Sequence, residues 1–126
     1  GDDWVDVIGF DIYQRNSTNE KFITDMHRML STLATIANEK NKIPALTEFG
    51  GNFSDTDWWT GTFLKAIGQY KISYVLGWRN AGRKSNGEFE VYVPYKGHVS
   101  EKDFIRFYNE EHTFFEKDIS SQKIYQ

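Results

Sequence analysis

Apolar positions along this chain follow two alternating patterns. Short continuous apolar runs, Trp4-Val5-Asp6-Val7-Ile8-Gly9-Phe10, Ile43-Pro44-Ala45-Leu46-Thr47-Glu48-Phe49 and Ile72-Ser73-Tyr74-Val75-Leu76-Gly77-Trp78, read as buried strands. Each is followed by apolar residues at helical spacing. Phe22, Met26, Met29, Leu30, Leu33, Ile36 and Ala37 predict a long amphipathic helix. Trp58 or Trp59 with Phe63, Leu64, Ile67 and Tyr70 predict a second, weakened by Gly61 and Gly68. Phe104, Ile105, Phe107 and Tyr108 predict a third. Polar punctuation fits these boundaries: Ser17 with Glu20 as a capping box, Ser54 or Asp55 as a cap, and Ser100 with Asp103 as another. The stretch 81–99 has no helical period, although Phe89-Glu90-Val91-Tyr92-Val93 alternates enough for a short extended piece. Phe114, Phe115 and Ile119 predict that the tail packs.

Strand followed by helix, three times over, calls for a parallel sheet with right-handed crossovers. Three parallel strands leave both edges open, whereas eight such units close a barrel of roughly 250 residues. The expected fold class is therefore α/β, with residues 1–126 forming a single segment. That segment is the last three β/α units of a (β/α)8 TIM barrel, an incomplete barrel fragment. Its open edges predict self-association or instability when it is alone.

Composition narrows the function classes. Aromatic residues make up 17% of the 126 positions, enough to supply stacking platforms as well as a core. A net charge of −3 and a pI near 5.6 argue against nucleic acid, which needs a basic face. No apolar run approaches the roughly 20 residues that span a bilayer. The acidic start Gly1-Asp2-Asp3 predicts a chain that begins after an export segment or inside a longer protein. With no cysteine there is no disulfide or thiolate chemistry. Gly50-Gly51 lacks a phosphate-loop continuation. His27 belongs to a helix surface, His98 and His112 have no partner at ligand spacing, and Asp55-x-Asp57 lacks the other oxygen donors.

The chemistry concentrates where the strands end. In α/β folds that rim carries the active groups. Asp11 and Tyr13, then Glu48, then Trp78 and Arg79 stand there. A carboxylate, a phenol, an indole and a guanidinium in one cleft fit glycoside hydrolysis. Glu48 is placed to act as nucleophile, and Tyr13 to donate to it and fix its orientation. Asp11 can accept from a sugar hydroxyl, pair with a cation or cap its strand. Trp78 can stack under a pyranose ring or fill the core. Arg79 can fork onto sugar hydroxyls or sit in a surface ion pair. Trp58-Trp59 are placed either as a second sugar platform or as simple helix packing.

Taken together, Gly1–Tyr13, Leu46-Thr47-Glu48-Phe49-Gly50 and Tyr74–Ala81 resemble the sixth, seventh and eighth barrel strands of glycoside hydrolase family 26, chiefly endo-β-1,4-mannanases. The likeness continues through Val93-Pro94-Tyr95-Lys96-Gly97-His98 and the final helix. It implies the C-terminal portion of a glycoside hydrolase catalytic domain working by a retaining mechanism without metal or organic cofactor. On that resemblance Glu48 matches the nucleophile and Tyr13 the tyrosine bonded to it. Asp11 matches an aspartate of the sugar site beside the cleaved bond, Trp78 the aromatic floor, and Arg79 a more distal sugar site. The family's acid/base, a glutamate preceded by a histidine at the end of the fourth strand, has no counterpart here. The chain alone is therefore expected to be inactive, and its partners to be a β-mannan-type polysaccharide and the N-terminal part of the barrel. A secreted, periplasmic or cell-surface location follows only from the family. The competing readings are a β-1,3-1,4-glucanase or β-xylanase on the same fold, or a non-catalytic carbohydrate-binding or assembly module.

Overall fold

A computed structural model describes residues 1–51, 55–87 and 89–121. A 3-10 turn over Asp2–Trp4 leads into β1 (Val7–Gln14), α1 (Asn19–Lys40) and β2 (Ile43–Gly51). A π-helical turn at Trp59–Phe63 continues as α2 (Leu64–Ile67), followed by β3 (Val75–Gly77). A hairpin of β4 (Gly82–Arg83) and β5 (Phe89–Glu90), then α3 (Glu101–Tyr108) and α4 (Glu116–Ser120), complete the described chain. β1, β2 and β3 form one open parallel sheet in that order, while β4 and β5 pair antiparallel.

The three strands and their helices thus appear as the apolar pattern predicts, with shifted ends. The first strand begins at Val7, because Trp4 lies in the preceding turn and is 89% exposed. β1 also runs further than expected, so Asp11 and Tyr13 lie within it. The third strand is short by ladder pairing, yet hydrogen bonds from Ser73 to Pro44 and from Trp78 to Phe49 lay residues 73–78 along β2.

Caps differ from the sequence expectation more than strands do. α1 is capped by Thr18, whose hydroxyl accepts from the Lys21 amide at 3.2 Å, not by Ser17. The helix ends at Asn41, whose left-handed backbone (φ 52°) lets its amide reach the Ala37 and Asn38 carbonyls. Ser54 lies outside the described residues. Asp55 does not cap a helix but accepts from the Asn19 side chain at 2.6 Å. Ser100 and Asp103 form no capping box on α3. The buried Asp103 carboxylate instead accepts from the Trp59 and Thr60 amides at 2.7 and 3.1 Å and from the Thr60 hydroxyl at 2.5 Å. Arg106 completes the set at 2.9 Å. A carboxylate from one helix thereby satisfies the open amides that begin the π-helical turn.

One core lies between the sheet and its helices. Phe22, Met26, Leu30 and Leu33 of α1 meet Leu46 and Phe49 of β2, and Trp58, Trp59, Phe63 and Phe107 close the cluster. Phe49 and Phe63 stack at 4.2 Å between centroids, with Trp58 stacked on Phe63 at 5.3 Å. Burying a side chain of this size contributes roughly 1.5–3 kcal/mol. Both Trp58 and Trp59 are fully buried, which rules them out as sugar platforms and leaves helix packing as their role. Of the apolar residues of α3 and the tail, Phe104, Phe107 and Phe115 pack, whereas Ile105, Tyr108, Phe114 and Ile119 are exposed. A helix of two turns has room to bury only one narrow stripe.

Candidate active site

The site is built on an irregularity in the pairing of β1 with β2. Phe10 lies opposite Leu46, but Asp11 lies opposite Glu48, so Thr47 is an extra residue. A bulge of this kind turns two successive side chains toward the same side of the sheet. Leu46 and Phe49 both enter the core, leaving Thr47 and Glu48 on the opposite face. Asp11 and Tyr13 share that face by the two-residue period of β1. There the Thr47 hydroxyl donates to Oδ1 of Asp11 at 2.8 Å, and the Tyr13 phenol donates to Oε1 of Glu48 in a very short hydrogen bond. Asp11, Tyr13 and Glu48, singled out from the sequence, are thus brought together on two neighbouring strands.

Tyr13 is tightly surrounded. Burial first, then the bond to Glu48 and the electrostatic influence of Glu48, Tyr92 and Asp11, push its phenol well above its usual value of 10.0. It therefore remains a protonated donor across the neutral range. The Arg15 guanidinium lies 4.9 Å from the centre of its ring, at cation–π distance. Gly50 allows the ring to lie where it does: a Cβ there would come within 2.7 Å of ring carbons of both Tyr13 and Tyr92.

Trp78 and Arg79 follow β3 at the same end of the sheet. Trp78 is 40% exposed and is tied to β2 through its amide, which donates to the Phe49 carbonyl at 2.8 Å. Arg79 is exposed. Among the described residues no group of three or more His, Asp or Glu is placed to hold a metal ion.

Three residues at this rim had no role assigned to them from the sequence. Tyr92 meets the Tyr13 ring edge-on at 5.6 Å between centroids. Asn80 holds Tyr92 in position: its side-chain oxygen accepts from the Tyr92 and Val93 amides at 2.7 and 2.9 Å, and its amide donates to the Val93 carbonyl at 2.9 Å. Gln14 accepts from the Trp58 indole at 2.6 Å and donates to Asn19 at 2.8 Å, linking the strand end to the core. The one sequence signal for Tyr92 was the weak alternation around it. For Asn80 it was a position directly after Trp78-Arg79.

The sequence profile of glycosyl hydrolase family 26 matches residues 1–100 of the chain. The chain belongs to that family. Among solved family 26 structures, it is similar to a beta-mannanase from Bacteroides ovatus, with 42% identity and a TM-score of 0.77 over 87% of this chain and 31% of that one. It is also similar to the catalytic domain of the endo-beta-1,4-mannanase from Bacillus sp. JAMB-750. That match has 28% identity and a TM-score of 0.82, and covers 100% of this chain and 36% of the other. A mannan endo-1,4-beta-mannosidase of Bifidobacterium adolescentis is 29% identical over 122 residues, 85% of this chain and 12% of its own length. The family 26 chain described here spans only that share of each relative.

Proposed function

We propose that the protein to which this segment belongs is a retaining endo-β-1,4-mannanase, with Glu48 as its nucleophile. The observation that carries this reading is the hydrogen bond from Tyr13 to Glu48 at the carboxyl end of a parallel sheet, in a family 26 chain similar to solved mannanases. In the reading, three β/α units form the last part of a (β/α)8 barrel, and the bulge at Thr47 turns Glu48 into its mouth. Glu48 attacks the anomeric carbon of a β-mannoside, forming a covalent glycosyl–enzyme ester while the sugar oxygen of the cleaved bond leaves. Water then breaks the ester and regenerates the carboxylate. Tyr13 orients the attacking oxygen pair. Asp11, steadied by Thr47, accepts from hydroxyls of the sugar beside the cleaved bond. Trp78 forms the stacking floor, and Arg79 reaches a more distal sugar.

A retaining site needs a second carboxyl about 5–5.5 Å from the nucleophile to protonate the leaving group. That group is assigned to the part of the barrel outside these residues, so the isolated segment is expected to be inactive. Secretion or display at the cell surface is part of the same reading, because the substrate is a polymer.

A 2-deoxy-2-fluoro mannoside with a good leaving group tests the assignment on the full-length protein. Mass spectrometry of the trapped intermediate is expected to find the label on Glu48; a label on Asp11, or none, would overturn it. Comparing reducing ends released from mannan, β-glucan and xylan tests the substrate class.

A further inference from the structure

The loop after β3 returns across the sheet and sets Tyr92 against Tyr13, although the two residues are 79 positions apart in sequence. Gly50 lies beneath both rings and leaves room for their edge-on contact. Three constraints fix Tyr92. Asn80 binds its backbone through the two amide bonds to its side-chain oxygen. Its phenol hydrogen-bonds Glu90, which is itself paired with Lys84 at 2.5 Å across the β4–β5 hairpin. Its ring is buried to 6% exposure, against Gly50 and Tyr13. This is more anchoring than a loop residue needs for packing alone, and its only aromatic neighbour among the described residues is the tyrosine that holds the candidate nucleophile.

We infer that Tyr92 is a positioning residue: held by Asn80 and Glu90, it fixes the ring of Tyr13 and, through Tyr13, the orientation of Glu48. The inference rests on the proposed role of Glu48. A tyrosine on a strand end can pivot about its first two side-chain torsions, and a swing of about 1 Å is enough to break a short charge-assisted bond. The edge of Tyr92 blocks that swing on one side, and Arg15 covers a face of the ring. The charged and titratable groups facing the pair are Glu48 from β2, Asp11 and Arg15 from β1 and the turn after it, and Glu90 from β5. Burial first, then the bond to Glu90, raise the Tyr92 phenol to about 12, so it stays a neutral donor wherever Glu48 works.

Without Tyr92, the Tyr13 ring is free to swing and Glu48 is held less firmly in the attacking orientation. In full-length enzyme, Tyr92→Leu is expected to lower kcat by about 10–100-fold with KM within threefold. Tyr92→Phe keeps the ring edge and loses the Glu90 anchor. It folds as a near-isostere and is expected to lower kcat by about 3–10-fold, again with KM within threefold. Wild-type kcat in Tyr92→Phe, together with the same result in any folded Tyr92→Leu, would overturn the inference. Tyr13→Phe, measured alongside, separates the two levels. If it leaves kcat unchanged, the role assigned to Tyr13 and Glu48 fails; if it lowers kcat and the Tyr92 variants do not, only the bracing role fails.

Discussion

Thr47 and Glu48 are neighbours in sequence, yet both side chains act on the same face of the sheet, one donating to Asp11 and the other accepting from Tyr13. A regular strand would have sent one of them into the core. The extra residue opposite the Phe10–Asp11 step makes the difference, and it groups two carboxylates with two hydroxyls across two strands. Removing the hydroxyl alone isolates its part. Thr47→Val in the full-length enzyme is expected to free the Asp11 carboxylate and raise KM for mannan oligosaccharides about 3–10-fold, with a smaller change in kcat, as measured by steady-state kinetics.

Replacing the proposed nucleophile is expected to have a larger effect. Glu48→Gln keeps the size of the side chain but cannot attack, and is expected to lower kcat by about 10⁴-fold or more. Binding of a mannan oligosaccharide, followed by calorimetry, should survive. Turnover within tenfold of wild type would remove Glu48 from the role.

Gly50 provides a steric test that leaves every polar group in place. The Cβ of Gly50→Ala would meet ring carbons of Tyr13 and Tyr92 at 2.7 Å, so both rings must move. Overpacking of this kind costs about 1–3 kcal/mol in stability. Activity is expected to fall by a further order of magnitude, because the ring that moves is the one bonded to Glu48. Thermal unfolding and kcat measured on the same preparation check the two effects separately.

Asp103 bonds Trp59, Thr60 and Arg106 and none of the candidate site residues, and should report on folding alone. Burial alone would raise its pKa, but donors from Thr60, Arg106 and the Trp59 amide outweigh that and hold it below the ordinary 3.8. Because the folded value is the lower one, the stabilisation is present above the unfolded pKa and is lost as pH falls through the depressed folded pKa. Asp103→Asn is expected to destabilise the protein by about 1–3 kcal/mol near neutrality. It should also flatten the acid limb of a denaturation curve below about pH 4. An unchanged acid limb would mean that another carboxylate dominates.

Trp78 tests the proposed sugar floor. Truncation to Ala is expected to raise KM about tenfold, equivalent to about 1.4 kcal/mol, with kcat changed less. Equal losses in kcat and kcat/KM would instead make it a contributor to the transition state.

The sequence alone marked the three parallel strands, the helices between them and the side chains that stand at the strand ends. Continuous apolar runs set the strands, the 3.6-residue period set α1, and the polar residues ending each run marked Asp11, Tyr13, Glu48, Trp78 and Arg79. These signals are local, because burial periodicity and backbone stiffness act within a few residues. Only the tertiary structure decided what depends on distant partners. Trp58 and Trp59 are core residues because Phe63, Phe49 and Phe107 surround them. Asp103 caps a helix other than its own because that helix presents open amides to it. Tyr92 reaches Tyr13 because a loop folds back over a glycine. The bulge at Thr47 belongs to the same class: it exists only in the pairing of two strands, and no period along one chain records it.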